Sequence, residues 1–160
     1  MFSLSRASDV SAVLEALDRS LAIIEFDPKG RILSANDNFC SAMGYGLPEI
    51  KGRHHSMFVE PDYARSSEYQ AFWDKLGRGE FDAKEYKRLG KDGREVWIQA
   101  SYNPVRNARG AVVKVVKVAT DITVEKLRTA EVAGKIDALS RAQAVIEFTL
   151  NGEIITANEN

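Results

Sequence analysis

Two stretches of this chain repeat each other at a spacing of 122 residues, Ala22 matching Ala144. The first reads Ala22-Ile23-Ile24-Glu25-Phe26, then Gly30-Arg31-Ile32-Leu33-Ser34-Ala35-Asn36-Asp37-Asn38. The second reads Ala144-Val145-Ile146-Glu147-Phe148, then Gly152-Glu153-Ile154-Ile155-Thr156-Ala157-Asn158-Glu159-Asn160. The match extends upstream, where Val10, Leu14, Leu17 and Arg19 correspond to Val132, Ile136, Leu139 and Arg141. A helix, two strands and a turn do not fall into one register by chance, and such a repeat fixes the organisation of a chain before anything else. The pattern predicts one complete unit followed by the opening of another, as in a piece of a tandem array. The alternative is a C-terminal hairpin at 143–160 that is native to a single unit.

Within the complete unit, Val10, Val13, Leu14 and Leu17 fall on one stripe of a helix over residues 9–20. Short apolar strands follow at 21–27 and 31–35, joined by the turn Asp27-Pro28-Lys29-Gly30. Residues 36–43 read as a short helix stopped by Gly44, and Leu47-Pro48-Glu49-Ile50 starts another turn of helix. A longer helix, Pro61 to Leu76, carries Tyr69, Phe72, Trp73 and Leu76 along one stripe. Three strands come next: Glu80–Leu89, Arg94–Asn103 after the turn Gly90-Lys91-Asp92-Gly93, and 111–120. Asp121-Ile122-Thr123 opens a final helix that runs to about residue 142. Strands, then helices, then strands define an α+β domain with one five-stranded antiparallel sheet, small helices on one face, and flanking N- and C-terminal helices.

Charge narrows the function classes. The net charge is −1, so no basic field points to nucleic acid or an anionic membrane. No apolar run reaches the roughly 18 residues of a span, and the lone Cys40 has no partner for an internal disulfide. These features fit the cytoplasm. Nucleotide-binding, zinc and catalytic-triad motifs are not evident, so an enzyme is not expected.

The signature segments together resemble the PAS superfamily: Asp27-Pro28-Lys29-Gly30-Arg31-Ile32, Asn36-Asp37-Asn38-Phe39, Met43-Gly44-Tyr45, Glu49-Ile50-Lys51-Gly52, Lys91-Asp92-Gly93 and Asp121-Ile122-Thr123. The resemblance divides the chain into an N-terminal helix at 1–20, a PAS domain at 21–123, a linker or signalling helix at 124–142 and a truncated second repeat at 143–160. The segments 95–105 and 114–123 are similar to the tandem PAS domains of soluble bacterial methyl-accepting chemotaxis and aerotaxis-type receptors. That resemblance implies a sensory input domain reading a redox, gas or small-molecule signal and passing it through the C-terminal helix. The implied partners are a second copy in a homodimer, a downstream receptor signalling domain and a chemotaxis kinase complex. Alternatives are a PAS sensor of a histidine kinase or of a cyclic-dinucleotide enzyme, or a ligand-free dimerisation module.

The resemblance also implies a cavity behind the sheet and the residues around it. His54 and His55 border it as candidates for a haem ligand (His55 as the metal ligand if haem is bound) or a flavin hydrogen bond; the other reading is a half-exposed pair near a turn. Phe58, Tyr69 and Trp73 are candidates to stack on FAD, or else form an ordinary aromatic stripe of the core. Ile98 and Tyr102, on one face of their strand, complete the expected cofactor-binding set. Where flavin-type domains continue with a Trp–Gly pair and an Asn-Arg-Arg-Lys run, this chain reads Phe81-Asp82-Ala83 and Tyr86-Lys87-Arg88-Leu89. His55 stands where a light-sensing domain would place its adduct-forming cysteine. Lys87, Arg88, Lys91 and Arg94 read as a solvated cluster, and Asp121 and Thr123 as the signal relay.

Overall fold

The computed structural model describes the backbone of residues 3–160 and the side chains of residues 9–160. The chain divides into two compact units, Met1–Thr123 and Val124–Asn160.

The first unit opens with helix α1 (Ser3–Ser20), longer at its start than the apolar spacing predicts. Its stripe is not buried: Val10, Val13, Leu14 and Leu17 are all exposed. The antiparallel sheet is built from β1 (Ala22–Phe26), β2 (Ile32–Ala35), β3 (Asp82–Leu89), β4 (Glu95–Arg106) and β5 (Val112–Asp121), in the order β2-β1-β5-β4-β3. The central strand β5 therefore joins the β1–β2 hairpin to the β3–β4 pair, with Ile24 opposite Lys117 on one side and Tyr102 opposite Lys117 on the other. β4 continues past its expected end through Pro104, which stands opposite Val115.

Between β2 and β3 lie α2 (Asp37–Met43), α3 (Leu47–Ile50), a 3₁₀ turn at His55–Phe58, α4 (Pro61–Ala64) and α5 (Ser67–Gly77). The helix expected over Pro61–Leu76 is thus two helices. Ser66 breaks it because its side chain accepts from the Tyr69 backbone N–H and caps α5. These helices cover one sheet face. Phe39, Met43, Ile50, Phe58, Tyr69, Trp73 and Leu76 pack from their side against Ile24, Phe26, Ile32, Val96, Ile98, Tyr102 and Val115 from the sheet.

The second unit holds α6 (Thr123–Ala142, from Val124 on) and a hairpin of β6 (Ile146–Phe148) and β7 (Ile154–Ala157). The hairpin reproduces β1–β2 bond by bond. Ile24 pairs with Ala35 and Phe26 with Ile32, with a bulge between Glu25 and Phe26. Ile146 pairs with Ala157 and Phe148 with Ile154, with a bulge between Glu147 and Phe148. The residues differ in one respect: Ile24, Phe26 and Ile32 are buried, whereas Ile146, Phe148 and Ile154 are exposed.

Candidate functional site

The segment after α3 runs antiparallel to the start of β2. Ile32 N donates to Arg53 O, Gly52 N to Ile32 O and His55 N to Gly30 O, each at 2.8 Å. This pairing drives His55 into the core. Gly30 makes it possible, because its φ is +85° and a Cβ there would lie 2.8 Å from His54 Nε2 and 2.9 Å from the Trp73 ring.

His55 is fully buried at the centre of an aromatic cluster. Its ring centroid lies 5.3 Å from Phe26, 5.5 Å from Trp73, 5.7 Å from Tyr102 and 5.9 Å from Tyr69. Both ring nitrogens are engaged: Nδ1 is 2.8 Å from Tyr69 Oη and Nε2 is 3.0 Å from Tyr102 Oη. Arg88 Nη2 donates to the same Tyr102 oxygen at 3.2 Å. The distances fit a chain in which Arg88 donates to Tyr102, Tyr102 to His55 Nε2, and His55 Nδ1–H to Tyr69. That chain requires a neutral imidazole. Burial, with Arg88, Lys117 and His54 nearby, holds His55 well below the usual histidine range and keeps it neutral.

Lys117 enters the same core from β5 and is fully buried. Its Nζ lies 5.1 Å from the Tyr102 ring centre and 5.4 Å from that of Phe39, and no hydrogen-bond partner reaches it. Burial, with Arg88 adding to it, pushes its amine well below the ordinary lysine range. Arg88 Nε is likewise buried and unpartnered, while the guanidinium lies 4.5 Å over the Tyr86 ring.

The expected site residues separate into groups. His55, Tyr69, Trp73 and Tyr102 converge in one cluster, and Phe58 sits at its edge, 6.2 Å from His55 and 5.4 Å from Phe39. Ile98 is buried in the same sheet layer. The two histidines are not a matched half-exposed pair. His54 stays half-buried, with Nε2 bonded to Lys29 O at 2.9 Å and Nδ1 accepting from Ser56 N at 3.1 Å. The solvated basic cluster needs correction, because Arg88 is only 5% exposed. Lys87, Lys91 and Arg94 are its outward members, Lys87 and Lys91 paired with Glu95 and Glu49 and Arg94 donating to Ala42 O. Alternation along β3 explains the difference: Tyr86 and Arg88 point inward and Lys87 outward. Lys117 was not singled out by sequence. The same period-two reading places it inward with Val115 and Ala119, although the alternate residues Val116 and Val118 look at least as apolar.

The cluster also limits which cofactor it can hold. Neither histidine has a free nitrogen, so iron ligation would break a hydrogen bond at His55 or His54. The rings expected to stack on an isoalloxazine contact other core rings instead, Trp73 against Phe26 at 5.5 Å, Tyr69 against His55 at 5.9 Å and Phe58 against Phe39 at 5.4 Å. As packed, these residues fit neither haem nor flavin; either group requires the cluster to part.

At the end of the sheet, the relay residues form a bonded joint. Trp97 N donates to Thr123 Oγ1 at 2.9 Å, and Ile122 N donates to Trp97 O at 2.8 Å. Thr123 N and Oγ1 both donate to Asp121 Oδ1, at 2.9 and 2.6 Å. β4 thus carries Tyr102 into the core cluster and Trp97 at the joint.

Comparison with known proteins agrees with this architecture. A family model described as the PAS fold matches residues 32–119. The biofilm dispersion protein BdlA of Pseudomonas aeruginosa is 46% identical over 147 residues, which cover 92% of this chain and 35% of that protein. The aerotaxis receptor of Escherichia coli is 32% identical over 79 residues, 49% of this chain and 15% of that receptor. The chain therefore spans about a third of the first relative and less of the second. The PAS domain of a protein from Colwellia psychrerythraea superposes with a TM-score of 0.61 at 23% identity, covering 71% of this chain and 97% of that one. No helix among the described residues is long and apolar enough to cross a membrane.

Proposed function

The chain belongs to the PAS-fold family, and from that premise we propose that it is the cytoplasmic, non-catalytic sensory input module of a bacterial chemotaxis-type receptor. The observation that carries this reading is the wiring of β4. One end of the strand is bonded through Tyr102 to the His55 chain, and the other holds Thr123, the residue at which α6 begins. A ligand that disturbs the core cluster alters β4 and β5, and the joint passes the change to the first turn of α6. This is a population shift between two settings of one strand pair. The relatives support the receptor setting, one named for aerotaxis and one for biofilm dispersion. In that setting the output is a chemotaxis kinase complex. A homodimer is part of the reading, supported by the exposed apolar stripe of Val10, Leu14 and Leu17 on α1. Haem or flavin enters the reading only if the ring cluster opens to admit it.

The test is Thr123→Val in the full receptor, with kinase phosphorylation followed on stimulation. The variant keeps the side-chain volume and loses two hydrogen bonds, so the domain's stability falls by only about 1–3 kcal/mol. Kinase output is expected to become independent of the stimulus. A normal response from the variant overturns the joint as the transmission point.

A further inference from the structure

We infer that the core accepts a small organic carboxylate, its anionic end bound by Arg88 and Lys117 beside Tyr102. This deepens the sensory reading by naming a ligand class, and rests on it only for the consequence of binding. Two basic side chains enter this core from neighbouring parts of the sheet, and both lie against one tyrosine: Arg88 Nη2 is 3.2 Å from Tyr102 Oη, and Lys117 Nζ is 5.1 Å from its ring centre. Both are buried, Lys117 fully and Arg88 to 5% exposure, and each keeps an unpartnered nitrogen. Among the described residues, neither forms an ion pair. The carboxylate opposite Tyr102 across the β3–β4 pair, Asp82, is committed elsewhere, to Lys75 at 2.7 Å and to the Tyr86 hydroxyl.

A buried guanidinium with no carboxylate paired to it is costly to hold, and so is the Lys117 amine whenever it carries a proton. They fit an anion that brings its own charge. A carboxylate suits the guanidinium fork, and its negative charge favours the ammonium form of the amine, which takes its proton from solvent. The surrounding rings, Phe26 and Phe39 among them, suit an apolar or planar body on that carboxylate. A surface cleft of about 420 Å³ is lined by His54, Tyr69 and Trp73, and the two α5 rings contact His55, so a ligand entering there reaches Arg88 and Lys117 only when these rings part.

The experiment is thermal unfolding of the purified chain in acetate, benzoate or indole-3-acetate, against sodium chloride of equal ionic strength and benzyl alcohol as a neutral counterpart. At least one carboxylate is expected to raise the midpoint by roughly 5–10 °C at about a hundredfold excess over its dissociation constant. Benzyl alcohol should not. Lys117→Met keeps the length and apolar stem of the side chain, so it should fold and should abolish the carboxylate shift; Arg88→Met provides a second test. No shift with any of the three acids, or an undiminished shift in Lys117→Met, overturns the anion site. That result leaves the sensory reading standing, whose transmission joint is tested separately by Thr123→Val.

Discussion

Lys117 makes folding stability depend on pH in a way that one substitution should remove. The unfolded chain protonates this side chain at the ordinary lysine value of ~10.4, whereas burial and Arg88 lower it in the fold. Between the two values the unfolded state binds more protons, so stability rises with pH, by at most about 1.4 kcal/mol per unit for one group. Arg88 from β3, His55 from the 3₁₀ turn and Tyr102 from β4 face it. His55 is neutral in both states above ~pH 8 and stays out of that window, whereas burial raises Tyr69, Tyr102 and the Cys40 thiol, whose unfolded counterparts begin to ionise by about pH 9.5 and so oppose the Lys117 slope there. Between pH 8 and pH 9.5, urea unfolding should therefore show a more positive change in stability for the wild type than for Lys117→Met; equal slopes would remove Lys117 from the account. The same residue shows why part of the site was not legible. His55, Tyr69, Trp73 and Tyr102 could be named because histidines and aromatics are few and fall in recognisable segments. Arg88 and Lys117 could not, because charge beside a hairpin or inside a valine run is ordinarily solvated. Only the strand register, set by pairing across the sheet, turns them inward.

Element boundaries depend on small polar residues as much as on apolar spacing. The stripe Tyr69, Phe72, Trp73 was readable, yet Ser66 sets where its helix begins. The Ser66 hydroxyl accepts from Tyr69 N at 3.1 Å and donates to Tyr63 O at 2.7 Å, ending α4 and starting α5 in one step. Ser66→Ala is expected to lower stability by about 1 kcal/mol, with the lost order falling first on Tyr69 and Trp73. Chemical denaturation together with Trp73 fluorescence in a Trp97→Phe background checks both parts, and an unshifted denaturation midpoint would show that the cap is dispensable. The strands were easier to read, since alternation and turn residues both mark them. β4 alone ran longer than expected, because Pro104 lies where a missing N–H does not end the pairing with Val115.

Across the whole molecule, the repeat was the most legible feature, and its two copies meet different surroundings. In the first unit Asn36 Oδ1 accepts from Ile23 N at 2.9 Å, and its Nδ2 donates to Asp18 O and Leu21 O at 3.0 and 2.8 Å. In the second, Asn158 makes the equivalent bonds to Val145 N, Ser140 O and Gln143 O, each 122 residues further along. The turns agree as well, with Gly30 at φ +85° and Gly152 at +86°. One copy closes a core and the other exposes its isoleucines and phenylalanine, yet the backbone is the same. Its shape is therefore written in contacts spanning about twenty residues, which form without waiting for distant strands to arrive. In the kinetics of folding, such a segment belongs to the earliest ordered part of the chain, onto which β5 must later dock. Asn36→Ala should then act mainly on the refolding rate, slowing it roughly tenfold for each 1.4 kcal/mol lost while unfolding barely quickens. A stopped-flow series in which unfolding quickens instead would place this hairpin late, as a lid laid on a core already formed.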